Sequence, residues 1–513
     1  MKYIFLLISL FTFNFLQAQV TGVVKDAAGE PIPGANVFWM NTTNGVTTNE
    51  DGNFSIHKPA RSHMLVVSFI GFENDTIHVD KGNQQLDIVL REGVELSEVN
   101  VVTRKLGTMK LRTSVMNEDM ISSAELTRAA CCNLGESFVT NPSVDVSYSD
   151  AATGAKQIKL LGLSGTYVQM MTENIPNFRG AAAPYGLGYV PGPWMQSIQV
   201  SKGSSSVKNG YESITGQINV EFKKPQLPEA DWVSANLFAS STNRYEANAD
   251  ATVKLSKRWS TSLLAHYENE TKSHDSNDDG FVDIPRVEQY NVWNRWAYMG
   301  DHYVFQAGIK ALHETRNSGQ IAHGNTPSHD LYEIGIKTNR YEAFTKNAYI
   351  FDKEKNTNLA LILQGTLHNQ DANYGRKLYD VDQSNFYASL LFETELSKQH
   401  SLSAGLSFNY DGYDQNYRLT NQAEEGLTKK FVKESVPGAY VQYTFNLNDQ
   451  LMLMGGIRGD YSSEYGFFVT PRAHVKYNPN EYLHFRLSAG KGYRTNHVLA
   501  ENNYLLASSR KMK

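Results

Sequence analysis

From residue 226 onward the chain alternates. Around its last regular stretch, Leu483, Phe485, Leu487 and Ala489 fall on one face, and Tyr482, His484, Arg486 and Ser488 on the other. In "DWVSANLFAS", Val233, Ala235, Leu237 and Ala239 share a face opposite Ser234 and Asn236. A period of two is the mark of a strand, because successive side chains point to opposite sides. A soluble sandwich alternates in this way. So does a barrel that turns its apolar face to lipid and its polar face to a lumen. The connections separate the two. Short polar turns recur near 256–258, 300–302, 352–356, 397–400, 446–450 and 478–481, with longer hydrophilic stretches at 272–289, 316–331 and 414–430. Short turns at one end and long loops at the other fit a membrane barrel. Aromatic residues gather near strand ends, as in "YNVWNRWAY" and "YGFF", where such barrels carry interfacial girdles.

The N-terminal 225 residues read differently. Lys2 followed by "YIFLLISLFTFNF" and "LQA" predicts a secretory signal over residues 1–18, its apolar run too short for a spanning helix. Residues 19–92 predict a small β-sandwich of about seven short strands. It has a turn at Asp26–Gly29 and a hairpin in "GVTTNEDGNFSI" around Asp51-Gly52. Residues 93–104, "GVELSEVNVVTR", form a linker without a helical stripe, either an ordinary edge strand or a strand offered to a partner's sheet. Residues 105–225 predict a compact α+β unit. A helix in "SSAELTRAACCNLGESF" is capped by Ser122 or Ser123, with Glu125 in its first turn. Strands follow around the turn Gly162–Gly165, and a Gly/Ser-rich turn follows in "SKGSSSVKNG".

Composition narrows the chemistry. The net charge of −5 is spread over interspersed acids and bases, so no basic block points to nucleic acid. Cys131 and Cys132 are the only cysteines and are adjacent. A disulfide between neighbours is strained, so the chain is not a disulfide-stapled domain, and the pair reads first as small buried hydrophobes. "GLSG" continues with Thr166, so it is no nucleophile elbow, and Ser205-x-x-Lys208 lacks partner motifs. The histidines show no metal-ligand spacing, and no enzyme is expected. One loop does carry ligand-like spacing: in "SHDSNDDGFVDIPR", Asp275, Asn277, Asp279 and Asp283 stand where a calcium loop places oxygens. Counted from Asp275, the position that needs a bidentate Glu is Arg286, so this is not an EF-hand. A weak calcium site of the extracellular kind and a solvated external loop both fit. No other cofactor is expected.

Three stretches carry a family resemblance. "GVVKDAAGEPIPGANV", "TTNEDGNFSI" and "VSFIGFE" resemble the carboxypeptidase-regulatory-like domain. Lys202-Gly203, Gly210, Ile214-Thr215-Gly216, Ile218-Asn219-Val220 and Lys224-Pro225 stand in the order found at the end of the plug domain of TonB-dependent outer-membrane receptors. "IKLLGLSGTYVQMMTENIP" resembles the earlier part of that plug, which makes Gly162, Gly165, Gly203, Gly210 and Gly216 its turn residues. The resemblance implies a mainly β protein: a sandwich, an α+β plug at 105–225, and over 226–513 the N-terminal part of an antiparallel transmembrane barrel. It places the TonB-contacting box in the linker, at Leu96, Glu98, Val99, Val101, Val102 and Thr103. It implies TonB with ExbB and ExbD as partners, outer-membrane lipid as surroundings, and energy-coupled uptake of a scarce nutrient, foremost a ferric siderophore or other metal chelate. Cobalamin or glycan import by the same route is the alternative, as is a surface-binding barrel that does not transport. About 13 strands are countable where a plugged receptor has 22, so a fragment or truncated product is expected.

Overall fold

The computed structural model describes residues 19–26, 29–40, 45–58, 63–69, 72, 75–79, 85–90, 108–110, 114–129, 132–139, 141–225, 232–321, 331–421, 426–447, 450–480 and 483–508. They fall into two compact units, Met1–Leu106 and Gly107–Lys513.

The first unit is two facing sheets. Gln19–Lys25 is the centre of one, antiparallel to Asn53–His57 and parallel to Gln85–Val89. The other runs Gly45–Thr47, Asn36–Trp39, Met64–Ser68 and Asp75–His78, all antiparallel. Their inner faces bury Val20, Val24, Val37, Trp39, Ile56 and Leu65. The hairpin expected around Asp51-Gly52 is a crossing between sheets. Gly45–Thr47 pairs with Asn36–Trp39, and Asn53–His57 pairs with Gln19–Lys25. The turn is local: Asn49 Oδ1 accepts from the Asp51 and Asn53 amides, and Gly52 takes φ 72°. Turn residues fix a chain reversal but not the partner of the strand that follows.

In the second unit the plug carries a six-stranded sheet ordered Ile175–Pro176, Val168–Thr172, Gly216–Phe222, Met195–Lys202, Asn117–Ser122 and Thr108–Lys110. A three-stranded sheet, Val144–Asp150, Ala155–Leu160 and Leu163–Ser164, stands beside it. The helix is shorter than the sequence suggests. It covers Ser123–Arg128, and Ser122 caps it by accepting from the Glu125 amide at 3.4 Å. The remainder of the expected helix holds a separate 3₁₀ turn, Leu134–Phe138, capped by Asn133.

The barrel part is one sheet of 13 antiparallel strands in chain order, from Trp232–Ala239 to Leu483–Gly490. Alternation decides its faces. In Arg286–Met299, Gln289, Asn291, Trp293 and Arg295 are buried toward the plug, while Tyr290, Val292 and Trp296 are exposed. Val233 and Leu237, at 80% and 81% exposure, mark the lipid face. No helix among the described residues is long and apolar enough to cross a membrane, and the crossing belongs to these strands. The strands also reach further than their apolar stretches. Lys377–Ser397 has 21 residues and Glu333–Asp352 has 20, against about 10 needed for a tilted crossing. The loops expected at 316–331 and 414–430 shrink accordingly to 320–332 and 419–427. Backbone pairing continues above the lipid, where both faces can be polar.

Candidate functional site

The connections orient the barrel. The connections after Glu270, Gly319 and Arg418 leave from one end of the sheet, and residues 255–258, 300–302 and 353–356 lie at the other. Longer loops are extracellular and short turns periplasmic.

The plug is fastened to the lumen wall by buried polar contacts. Glu173-Asn174, both with positive φ, is the two-residue turn between Val168–Thr172 and Ile175–Pro176. It carries the Glu173 carboxylate to 2.6 Å from Arg295 and 3.7 Å from Lys346 on the wall. Arg295 also donates to the Lys223 carbonyl at 2.7 Å and lies over the Trp293 ring. Next to this pair, Asn177 Nδ2 donates to Glu342 at 2.9 Å, and Glu342 pairs with Arg340 and Lys310. Nearer the outer end, Arg179 meets Asp411 of the wall at 2.9 Å and Glu212 of the plug at 3.0 Å. Arg472 is held by plug carbonyls of Ser205, Ser206 and Ser213. Burial opposes the charge of Glu136, but Arg244 at 2.9 Å holds its carboxyl below the usual range.

A segment that sequence reasoning passed over does much of the docking. In "FRGAAAPYGLGYVPGPW", residues 178–194, small residues let the backbone lie against the wall. The Gly188 and Tyr189 carbonyls accept from Gln289 and Asn291, and the Ala181 amide donates to Gln383. The run of Gly, Ala, Pro and Tyr with one charged residue was its only signal.

Between this segment, the three-stranded sheet and residues 491–508 lies a chamber of about 830 Å³, including its open mouth. The plug contributes Lys156, Gln157 and Arg179, and the later segment contributes Arg494, Glu501 and Tyr504. Arg494 pairs with Glu501 at 3.1 Å, yet its Nε has no protein partner.

The sequence-predicted residues are dispersed relative to this chamber. Gly165 lines it. Gly162, Gly203 and Gly210 take φ of 79°, 83° and 104° in turns. At Gly216 a Cβ would lie 2.2 Å from the Ser201 carbonyl oxygen. Leu96, Glu98, Val99, Val101, Val102 and Thr103 lie outside the described residues, as does Cys131. Cys132 is buried, and burial pushes its thiol up, away from the reactive thiolate. In the external loop, Asp275 accepts from the Asp279 and Gly280 amides, Asp279 from Phe281, and Asp283 from Ser276. Asn277 Nδ2 donates to Asp279 at 3.0 Å. The carboxylates brace the loop's own backbone. Among the described residues no group of three or more His, Cys, Asp or Glu is arranged to hold a metal ion.

A folded domain ion-paired into the lumen of an apolar-faced antiparallel barrel defines a plugged outer-membrane receptor. Comparison with known proteins gives the family. Residues 200–506 match the TonB dependent receptor-like beta-barrel, 110–217 the TonB-dependent receptor plug domain, and 20–102 the CarboxypepD_reg-like domain. The chain belongs to the TonB-dependent receptors and is a Gram-negative outer-membrane protein. It is 28% identical to the TonB-dependent receptor SusC of Bacteroides thetaiotaomicron over 245 residues, 45% of this chain and 24% of that protein. A TonB-dependent receptor of Formosa agariphila is 39% identical over 100 residues, 19% of this chain and 10% of that one. Among solved structures, the alcaligin outer-membrane receptor FauA of Bordetella pertussis superposes with a TM-score of 0.59 at 15% identity, over 75% of this chain and 66% of that one. The siderophore receptor PirA of Acinetobacter baumannii gives 0.60 at 14%, over 76% and 63%. These likenesses show the fold. The matched region spans about a quarter of SusC and about two thirds of the solved receptors.

Proposed function

We propose that this receptor takes a ferric siderophore or other anionic metal chelate from outside and imports it when TonB, driven with ExbB and ExbD, draws on the linker strand Leu96–Thr103. The observation that carries this is the chamber. It is walled partly by the plug and presents Lys156, Arg179 and Arg494. Arg179 is already paired with Asp411 and Glu212, and Arg494 with Glu501, so Lys156 and the unpartnered Arg494 Nε are what remain for an anionic ligand. Cations grouped in a recess favour an anionic ligand. The solved receptors of the same fold include ones named for siderophores and for ferric enterobactin. A second reading, a glycan, is favoured by Gln157, Asn502 and Tyr504 on the same walls, since amide and phenol groups suit hydroxyl ligands. The test is binding and uptake of labelled ferric chelates, cobalamin and oligosaccharides by cells with and without a proton-motive force. Binding that survives de-energisation while uptake stops, for chelates alone, is the expected result. Uptake that ignores the proton-motive force refutes energy coupling, and selective glycan uptake replaces the chelate.

A further inference from the structure

After Leu483–Gly490 the chain turns inward. Residues 491–508 cross over the plug and are tied to both bodies. On the plug side, the Tyr493 amide donates to the Tyr211 carbonyl at 2.8 Å. On the wall side, Tyr493 stacks on Phe468 with centroids 4.4 Å apart, and His497 lies over Tyr413 at 4.2 Å. Further along, Tyr332 donates to the Ala507 carbonyl, and Lys377 to those of Leu506 and Ser508.

One residue joins all three parts. Asn503 is fully buried. Its Oδ1 accepts from the Tyr185 hydroxyl of the plug at 3.3 Å and from the Tyr374 hydroxyl of the wall at 3.3 Å. Its Nδ2 donates to the Ala500 carbonyl within the segment, which fixes the amide with its oxygen facing the two phenols. An amide oxygen has two lone pairs, and here both are used. Burial pushes the Tyr185 phenol up to about 12, so it stays a donor at physiological pH.

We propose that residues 491–508 are a strap that holds the plug in its resting seat, and that Asn503 is the positioning residue that pins plug, strap and wall together. The plug cannot leave without breaking the Tyr185 bond, and a buried hydroxyl stripped of its partner is costly. The strap also supplies Arg494, Glu501 and Tyr504 to the chamber. Plug withdrawal therefore separates the two halves of the chamber as it breaks the pin. Resting seal and ligand wall are the same element.

The inference rests on the reading of a plug that moves within its barrel, but its test needs neither a ligand nor coupling. Cells lacking TonB express the full receptor, and entry of vancomycin, a large glycopeptide, reports leakage past the plug. Asn503→Ala and the pair Tyr185→Phe with Tyr374→Phe are compared at equal receptor abundance. Both are expected to raise leakage roughly tenfold, the shift that one or two lost buried hydrogen bonds give. Combining all three changes should add nothing further, because they remove the same pin. If Asn503→Ala lowers abundance, the Phe pair, which deletes only two hydroxyl groups, decides the matter. Unchanged leakage in the Phe pair overturns the proposal, and so does strict additivity of the three changes.

Discussion

Glu173→Gln isolates the charge that seats the plug's two-residue turn. The wild-type carboxylate is buried, with Arg295 at 2.6 Å and Lys346 at 3.7 Å. The Arg295 side chain is 1% exposed, so it cannot turn to water, whereas that of Lys346 is 17% exposed and can. Breaking a buried pair from one side costs about 3–5 kcal/mol, because the remaining charge is left uncompensated. Arg295 retains the Lys223 carbonyl and the Trp293 ring, which places the expected cost at the lower end, ~3 kcal/mol. That is a shift of more than a hundredfold in the local opening equilibrium. Hydrogen exchange on the purified receptor, followed by mass spectrometry over residues 168–176, reads this opening. The double variant Glu173→Gln with Arg295→Met removes both charges and should recover much of the protection, since an apolar replacement of a buried pair is often neutral. Unchanged exchange in Glu173→Gln would show that the pair does not hold the turn. A double variant worse than the single one would show that Arg295 acts through something other than Glu173.

Further expectations follow from single positions. Gly216→Val puts a Cβ 2.2 Å from the Ser201 carbonyl oxygen and 2.5 Å from Leu160 Cδ2. Overpacking of this kind costs ~1–3 kcal/mol or more, so trypsin-resistant receptor should fall, and normal levels would contradict the reading. Val99→Pro removes a backbone donor and fixes φ. If the linker pairs as a strand with TonB, uptake should drop while ligand still binds at the surface, and intact uptake would place the TonB contact elsewhere. Calcium held by Asp275, Asn277, Asp279 and Asp283 should bind weakly, at about 10⁻⁴–10⁻³ M, as in extracellular modules. Calorimetric titration of wild type against Asp279→Ala checks it, and identical heats rule the site out.

Period-two alternation in Leu483, Phe485, Leu487 and Ala489, or in Val233 and Leu237, was sufficient to assign strands and their lipid face. Burial in a strand is written into side chains two apart. Turn chemistry placed the reversals at Gly203 and Gly210, both of which take positive φ. The same sequence misjudged where strands end, because main-chain pairing above the lipid leaves no apolar trace. It also joined two strands around Asp51-Gly52 that belong to different sheets. The seat of the plug was not legible at all. Glu173 and Arg295 read as two of many polar residues, and Tyr185 and Asn503 are 318 positions apart. A lumen-facing polar side chain announces that it needs a partner, but any of several neighbours in the alternating pattern would satisfy it. Which one it meets is fixed only when the barrel wall curves around the plug and the inward strap brings an amide oxygen within reach of two phenols.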